Sequence, residues 1–578
     1  MKSIIVLVGL ACQLTLRAQD DLIAGARWTY SRTLETISAE GMPGGFTTAL
    51  RASTPAATPA TPWSSQLSVT IPAAIANGHY LRFRIWARSS SSSRIELVHE
   101  LNRDPFSKSA SYLYRLSNEW KEMALPYPSS AYAAGDSAVR IRTGYDEGVV
   151  ELAGIRLEDF GSTTEPPPAI NFDVYGGQAR DDSWRESAAE RISRLRMGPL
   201  VVRVVDAAGN PVPGAKVKIE QQRAAFLFGT AIASGPLFAS TKDGDEYRAQ
   251  FQRLFNHAVL ENQLKWDWSN GNDFATADRM LTWCAERGIP VRGHNLFWPS
   301  YNYLPASVRN LRGQPMRDAI ERHVRDYVTR TRGRVPVWDV INEAYTNTEV
   351  LRDNGRDLLW RTFQWTRETD PDVALAYNDY IISNNRAGAN DAHKAGAYAV
   401  VRELLDNGAP VTVLGDQGHM SAPLTPIGKV LEIWDEYGRF GLPIEITEFD
   451  IVFGGPRDEA QQAEYMADYL TAAFSHPSVR AFLMWGFWDG AHWLGNQGAG
   501  LFRRDWSRRP QANTWERLVF KEWRTNAEAE TGEEGTYSTR AFLGDFIATV
   551  TAGEKTGREE FTVSRNQDGP NEITVRLP

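Results

Sequence analysis

Between residues 198 and 530, short apolar runs alternate with longer stretches in which apolar residues recur every three to four positions. The runs predict buried parallel strands and the longer stretches predict amphipathic helices. Strand patterns cover 225–230, 258–260, 291–296, 335–341, 373–377, 411–414, 444–447 and 481–486. Helical patterns between them include 274–287, 317–331, 358–368, 390–407 and 458–474. Eight alternations over roughly 300 residues suit a closed (β/α)8 TIM barrel better than an open sheet. Residues 19–165 have another period. Runs 67–71, 80–86 and 138–142 alternate apolar and polar residues and are separated by Ser-rich and Gly-Asp turns, which predicts a β-sandwich module. The proline-rich stretch 162–168 breaks the chain there, and 166–197 is expected to be a linker with a short helix at 183–196. Runs 200–206 and 215–220 are expected to form a β-hairpin leading into the barrel. A β-rich extension, 531–578, follows it.

The first 18 residues carry Lys2, an apolar stretch and Ala18 at a plausible cut site, the layout of a secretory signal. Secretion, extracellular or periplasmic, is therefore expected, with a lipid-anchoring cut before Cys12 as an alternative. Once the leader is gone, Cys284 is the only cysteine, so no intramolecular disulfide is expected. Net charge is -8. That balance gives no support to nucleic-acid binding and leaves a neutral polymer open as a partner. The 19 Trp, 20 Tyr and 24 Phe are either core residues or platforms for sugar rings, and composition does not separate these readings. Trp28, Tyr30, Trp63, Trp86 and Trp120 of the first module read more readily as core.

In a parallel barrel all C-terminal strand ends meet on one face. Here those ends carry Glu261, Asn262 and Lys265; His294 and Trp298; Asn342 and Glu343; Tyr380; Gln417 and His419; Glu448 and Asp450; and Trp485, with Trp493 just beyond. Glu343 and Glu448 each close an apolar run. A facing carboxylate pair is the minimal machinery for breaking a glycosidic bond, one arriving protonated and the other ionised. Neither a His-Glu-x-x-His nor a Cys-x-x-Cys pattern occurs, so no metal or other cofactor is expected.

Five motifs, Arg292-Gly-His-Asn-Leu-Phe-Trp298, Trp338-Asp-Val-Ile-Asn-Glu343, Tyr377-Asn-Asp-Tyr380, Ile446-Thr-Glu-Phe-Asp-Ile451 and Trp485-Gly486, stand in one order with barrel spacing. Together they resemble glycoside hydrolase family 10, the endo-β-1,4-xylanases, over residues 198 to 530. The likeness is strongest to its plant-like branch, which often carries an N-terminal carbohydrate-binding module. The resemblance implies a retaining hydrolase of internal β-1,4-xylosidic bonds, with Glu343 as acid/base and Glu448 as nucleophile. It implies that Asn342 binds the 2-hydroxyl of the reacting sugar and Gln417 positions the acid/base. His419 contacts the nucleophile, with Asp450 in support. By the same likeness Glu261, Asn262, Lys265 and His294 grip hydroxyls, Tyr380 joins the substrate-binding set, and Trp298, Trp485 and Trp493 wall the sugar; Trp485 reads equally well as barrel core. Repulsion between the two glutamates is expected to raise the pKa of Glu343. Other β-glycans, such as arabinoxylan or mixed-linkage glucan, and a non-catalytic glycan-binding protein remain as alternatives. No protein partner is indicated. Asp416, Pro299-Ser300 and the run Phe487-Trp-Asp-Gly490 depart from the family pattern.

Overall fold

Eight short strands close the barrel in chain order: β1 (Leu227–Ile232), β2 (His257–Leu260), β3 (Val291–Phe297), β4 (Val337–Asn342), β5 (Ala374–Asp379), β6 (Val413–Asp416), β7 (Ile444–Val452) and β8 (Val479–Met484). Each pairs in parallel with its neighbours, and β8 returns to β1 to complete the ring. The computed structural model describes residues 20–38, 42, 44–163, 166–266, 274–456, 458–565 and 569–578. The leader, with Cys12, lies outside them. The chain divides into two units, one comprising residues 1–176 with 453–457 and the other the remainder.

The first unit contains two antiparallel sheets, as a β-sandwich requires. One is six-stranded and built around Gly148–Asp159 and Tyr80–Ser89; the other is five-stranded and centred on Ser137–Arg142. Tyr80–Ser89 buries every second residue, which is why its alternation was legible. Trp86 and Trp120 pack against Met42, Ala49 and Ala153, whereas Trp63 is 51% exposed and is not core. The expected break at residue 165 falls too early. Ala124 and Ile170 exchange both backbone hydrogen bonds at 3.1 Å, and Tyr112 donates to the Asp173 carbonyl. This pairing keeps the chain with the sandwich as far as Gly176.

In the second unit the expected hairpin does not form. Met197–Val205 lies between Thr536–Phe542 and Asn571–Arg576 in one sheet. Lys216–Ala224 lies in another, with Asn526–Glu530, Gly544–Ala552 and Lys555–Val563. The two leading strands contribute Leu200, Val202 and Val204, and Val217 and Ile219, to one apolar cluster that the tail strands complete with Phe546, Val550, Val563 and Val575. Each such buried aliphatic contributes roughly 1.5–3 kcal/mol. The strands therefore do better by taking partners from the tail and sharing a core than by pairing edge to edge.

Barrel strands are buried on both faces, so they read as continuous apolar runs, and every residue of β4 is buried. Gly293 in β3 is needed because a Cβ there would lie 2.3 Å from the Trp338 ring. Arg292, with no exposed surface, donates from Nε to Asp339 at 3.1 Å and from its two Nη groups to Asp339 and Glu445. Arg292→Met keeps the volume but removes the cation shared by two buried carboxylates, leaving Asp339 with His294 alone and Glu445 with Arg480 alone. The expected cost is about 3–5 kcal/mol, read as a lower denaturant midpoint in equilibrium unfolding. Cys284 is buried without a disulfide partner, and burial raises its thiol pKa to about 12. No helix among the described residues is long and apolar enough to cross a membrane.

Candidate active site

The C-terminal ends of β4 to β7 bring Glu343 and Glu448 to one hydrogen-bonded cluster. Glu343 follows the last residue of β4, and its backbone turns there with φ +55. A non-glycine residue in this left-handed region carries a strain of about 1–3 kcal/mol. Backbone bonds hold it: Glu343 N–H donates to the Asn378 carbonyl at 2.9 Å, and Asn347 N–H to the Glu343 carbonyl at 3.1 Å. The turn carries the side chain out of the strand and over the barrel mouth, half-buried.

Three amides connect the two carboxylates. Asn342 Nδ2 donates to Glu343 Oε1 at 3.2 Å, and Gln417 Nε2 donates to the same oxygen at 3.0 Å. Asn378 Nδ2 donates to Asn342 Oδ1 at 3.0 Å and to Glu448 Oε1 at 2.8 Å. Thr447 Oγ1 donates to Asn378 Oδ1 at 2.8 Å, which fixes the direction of that amide. Gly415 in β6 makes room for it, since a Cβ there would sit 2.2 Å from Asn378 Oδ1.

Glu448 is buried and lies between two imidazoles. His419 Nε2 donates to Glu448 Oε2 at 3.3 Å, and His419 Nδ1 is 3.0 Å from Asp450 Oδ1. Burial works against the His419 cation, but Asp450 and Glu448 prevail and raise its pKa to about 10. Asp450 is itself anchored by Trp493 Nε1 at 2.7 Å. On the other side His294 Nδ1 is 3.8 Å from Glu448 Oε1 and donates to Asp339 Oδ2 at 2.9 Å. Burial pushes the Glu448 pKa up, yet the two histidines outweigh it and leave it below the usual carboxylate range. Glu343 goes the other way. Desolvation raises its pKa to about 7 against the Gln417 hydrogen bond, with Asp379 and then Glu448 adding to the rise. The expected repulsion by Glu448 is thus present but third in rank, because the short, desolvated surroundings of the carboxyl act on it directly. One carboxyl holds its proton near neutrality and its neighbour does not, a division that suits acid and nucleophile.

The remaining candidates line the same mouth. Lys265 Nζ donates to Asn262 Oδ1 at 3.1 Å and stands 5.7 Å from the rings of both Trp298 and Trp485. Desolvation lowers its pKa against the pull of Glu448, Glu261 and Glu343. Burial raises that of Glu261 against Lys265 and Asn262. Trp298 stacks on Tyr303 with ring centroids 3.6 Å apart. Trp485 is 8% exposed and meets the His294 ring edge-on at 5.0 Å. Trp493 is 59% exposed beside His419. Tyr380 points its hydroxyl at Thr346 Oγ1, 3.2 Å away, rather than at either glutamate.

Sequence reasoning placed Asn378 at a strand end without a role and passed over Asp339 and Asn347. The first two stand inside motifs already singled out, but their hydrogen bonds run across the barrel and need coordinates. Asn347 sits in a polar turn with no periodic signal. The departures from the family pattern also have structural reasons. Asp416 is buried and accepts from Trp434 Nε1 at 2.9 Å and from Gly418 N–H at 3.2 Å. Ser300 donates to Glu349, and Asp489 accepts from Arg509.

Residues 218–516 match the model of glycosyl hydrolase family 10. Over 400 residues the chain is 31% identical to the anti-sigma-I factor RsgI6 of Acetivibrio thermocellus, covering 68% of this chain and 50% of that protein. Over 396 residues it is 27% identical to endo-1,4-beta-xylanase 1 of Arabidopsis thaliana, covering 66% and 40%. Over 279 residues it is 30% identical to endo-1,4-beta-xylanase B of Thermotoga neapolitana, covering 46% and 79%. The chain thus spans half or less of the length of the first two relatives. Among solved structures, xylanase 10B from Thermotoga petrophila in complex with xylobiose matches with TM-score 0.46 and 29% identity, covering 52% of this chain and 95% of that one.

Proposed function

The chain belongs to glycosyl hydrolase family 10, and from that premise we propose that it is a retaining endo-β-1,4-xylanase. The observation that carries the reading is the opposed ionisation of two carboxyls joined through Asn342 and Asn378: Glu343 raised to about 7 and Glu448 lowered. In this reading Glu343 gives its proton to the leaving oxygen while Glu448 attacks the anomeric carbon. A glycosyl ester forms on Glu448 and the leaving sugar departs neutral. Glu343, now ionised, takes a proton from water, which attacks the same carbon and frees Glu448. Inversion at each step returns the original β-configuration. His419, paired with Asp450, disperses the charge that Glu448 recovers. Asn342 and the Lys265–Asn262 pair supply hydroxyl contacts, and Trp298 and Trp485 the apolar wall.

The test is to follow purified protein on xylan, arabinoxylan and mixed-linkage β-glucan by reducing-end release and by NMR of the first-formed anomer. The expected result is internal cleavage of xylan with the β-anomer appearing first. The α-anomer first would end the double-displacement reading, and cleavage of β-glucan alone would change the substrate. A second reading is a glycan-binding protein without turnover; the relative at 31% identity is named an anti-sigma-I factor and not a hydrolase. Binding to xylan with no release of reducing ends would select it.

A further inference from the structure

We propose that Asn347 is a positioning residue for Glu343, holding its ionised carboxylate in place for the half-reaction in which Glu343 acts as base. The proposal rests on the double-displacement reading above.

Asn347 lies four residues beyond Glu343, on the turn that leaves β4. Its backbone N–H donates to the Glu343 carbonyl at 3.1 Å, and its side-chain Nδ2 donates to that same carbonyl at 3.1 Å. The same Nδ2 also donates to Glu343 Oε2 at 3.3 Å. Asn347 therefore grips both ends of the residue whose φ is +55. The grip works at the carbonyl, where the strained backbone would otherwise relax, and at the carboxyl, where the chemistry is done.

The division of the oxygens matters. Asn342 and Gln417 both donate to Oε1, and Asn347 is the donor on Oε2. An NH2 group offers hydrogens and accepts none, so it favours an ionised oxygen over one carrying a proton. Desolvation and the neighbouring carboxylates keep Glu343 protonated at the outset. Once Glu448 is esterified its charge is gone, and donors to Glu343 count for more. Asn347 then keeps Oε2 ionised and fixes its direction toward the attacking water. Its position on a half-exposed turn makes the residue replaceable without opening the barrel core.

The experiment uses the full chain with Asn347→Ala and Asn347→Asp. Asparagine and aspartate share a shape, but an ionised aspartate cannot donate and adds a negative charge. The substrate is a nitrophenyl β-xylobioside, whose leaving group needs no acid, so that release of the ester limits turnover. For Asn347→Ala, kcat and KM are expected to fall together by about five- to tenfold, the effect of one ordinary hydrogen bond, as suits a donor at 3.3 Å. Meanwhile kcat/KM at pH 5 stays within twofold of the parent. The basic limb of kcat/KM on xylan moves to higher pH, because a donor to the ionised form is lost. It moves further in Asn347→Asp, where a like charge is added. Equal losses in kcat and kcat/KM with an unmoved limb would make Asn347 a scaffold residue and overturn the proposal, as would parent-like values throughout. Glu343→Ala is run alongside. If that variant treats xylan and the aryl glycoside alike, the double-displacement reading fails. If it discriminates and the Asn347 variants do not, only the present proposal fails.

Discussion

Glu343→Ala is expected to lose about two to four orders of magnitude in kcat/KM on xylan while keeping most of its kcat/KM on a nitrophenyl xylobioside. The asymmetry follows from the leaving group. A sugar alkoxide is too basic to depart without the Glu343 proton, whereas a nitrophenolate leaves unaided. The second half-reaction still needs a base, so the glycosyl ester accumulates and KM on the aryl substrate falls with kcat. Azide, small enough to enter the space left by the side chain and already anionic, is expected to restore turnover and yield a β-glycosyl azide. The pH profile gives an independent check. The parent loses activity as pH rises through about 7, because Glu343 must start protonated. It loses activity as pH falls below the ordinary glutamate range, because Glu448 must start ionised. In the variant the basic limb disappears on the aryl substrate and the acidic limb remains. A basic limb that survives there would assign that titration to another group.

Glu448→Ala is expected to abolish turnover of both substrates by about four to six orders of magnitude, with no ester formed and no gain from the better leaving group. Substrate binding is expected to survive, since Lys265, Asn262 and the tryptophan wall do not depend on this carboxylate for their packing. Azide can attack directly in the vacated space and gives the α-glycosyl azide, the opposite hand to that from Glu343→Ala. Mass spectrometry of the parent with a slow-leaving fluoro-sugar checks the same point: the label belongs on Glu448. If the two alanine variants gave the same azide anomer, the roles of acid/base and nucleophile assigned here would be wrong.

The barrel was legible because parallel strands covered on both faces read as largely apolar runs, and these alternate with amphipathic helical stretches. β7 shows where that signal stops. The expected strand ends at Thr447, before the run of polar residues at Glu448 and Asp450, yet it continues to Val452. Extended backbone through Glu448, Phe449 and Asp450 puts Glu448 and Asp450 on one side, two residues apart, and both reach His419. Polar residues that serve the site thus hid the strand that presents them. The leading hairpin was misread for a different reason. Residues 197–205 find their partners at 536–542 and 571–576, and no local pattern encodes a pairing across the whole barrel. The raised pKa of Glu343 was foreseen in direction through the charge of Glu448, while desolvation and Asp379 needed the packed neighbourhood to be seen.

The interlaced accessory sheets also set an order of events during synthesis. Met197–Val205 and Lys216–Ala224 leave the ribosome before any of the barrel, but their neighbours leave after all of it. Until then Leu200, Val202, Val204, Val217 and Ile219 have no apolar cover from the tail strands. These contacts have long sequence separation and close late. The nascent chain therefore carries two sticky strands just ahead of the barrel in sequence, and the barrel must fold before Asn571–Arg576 arrives to cap one of them.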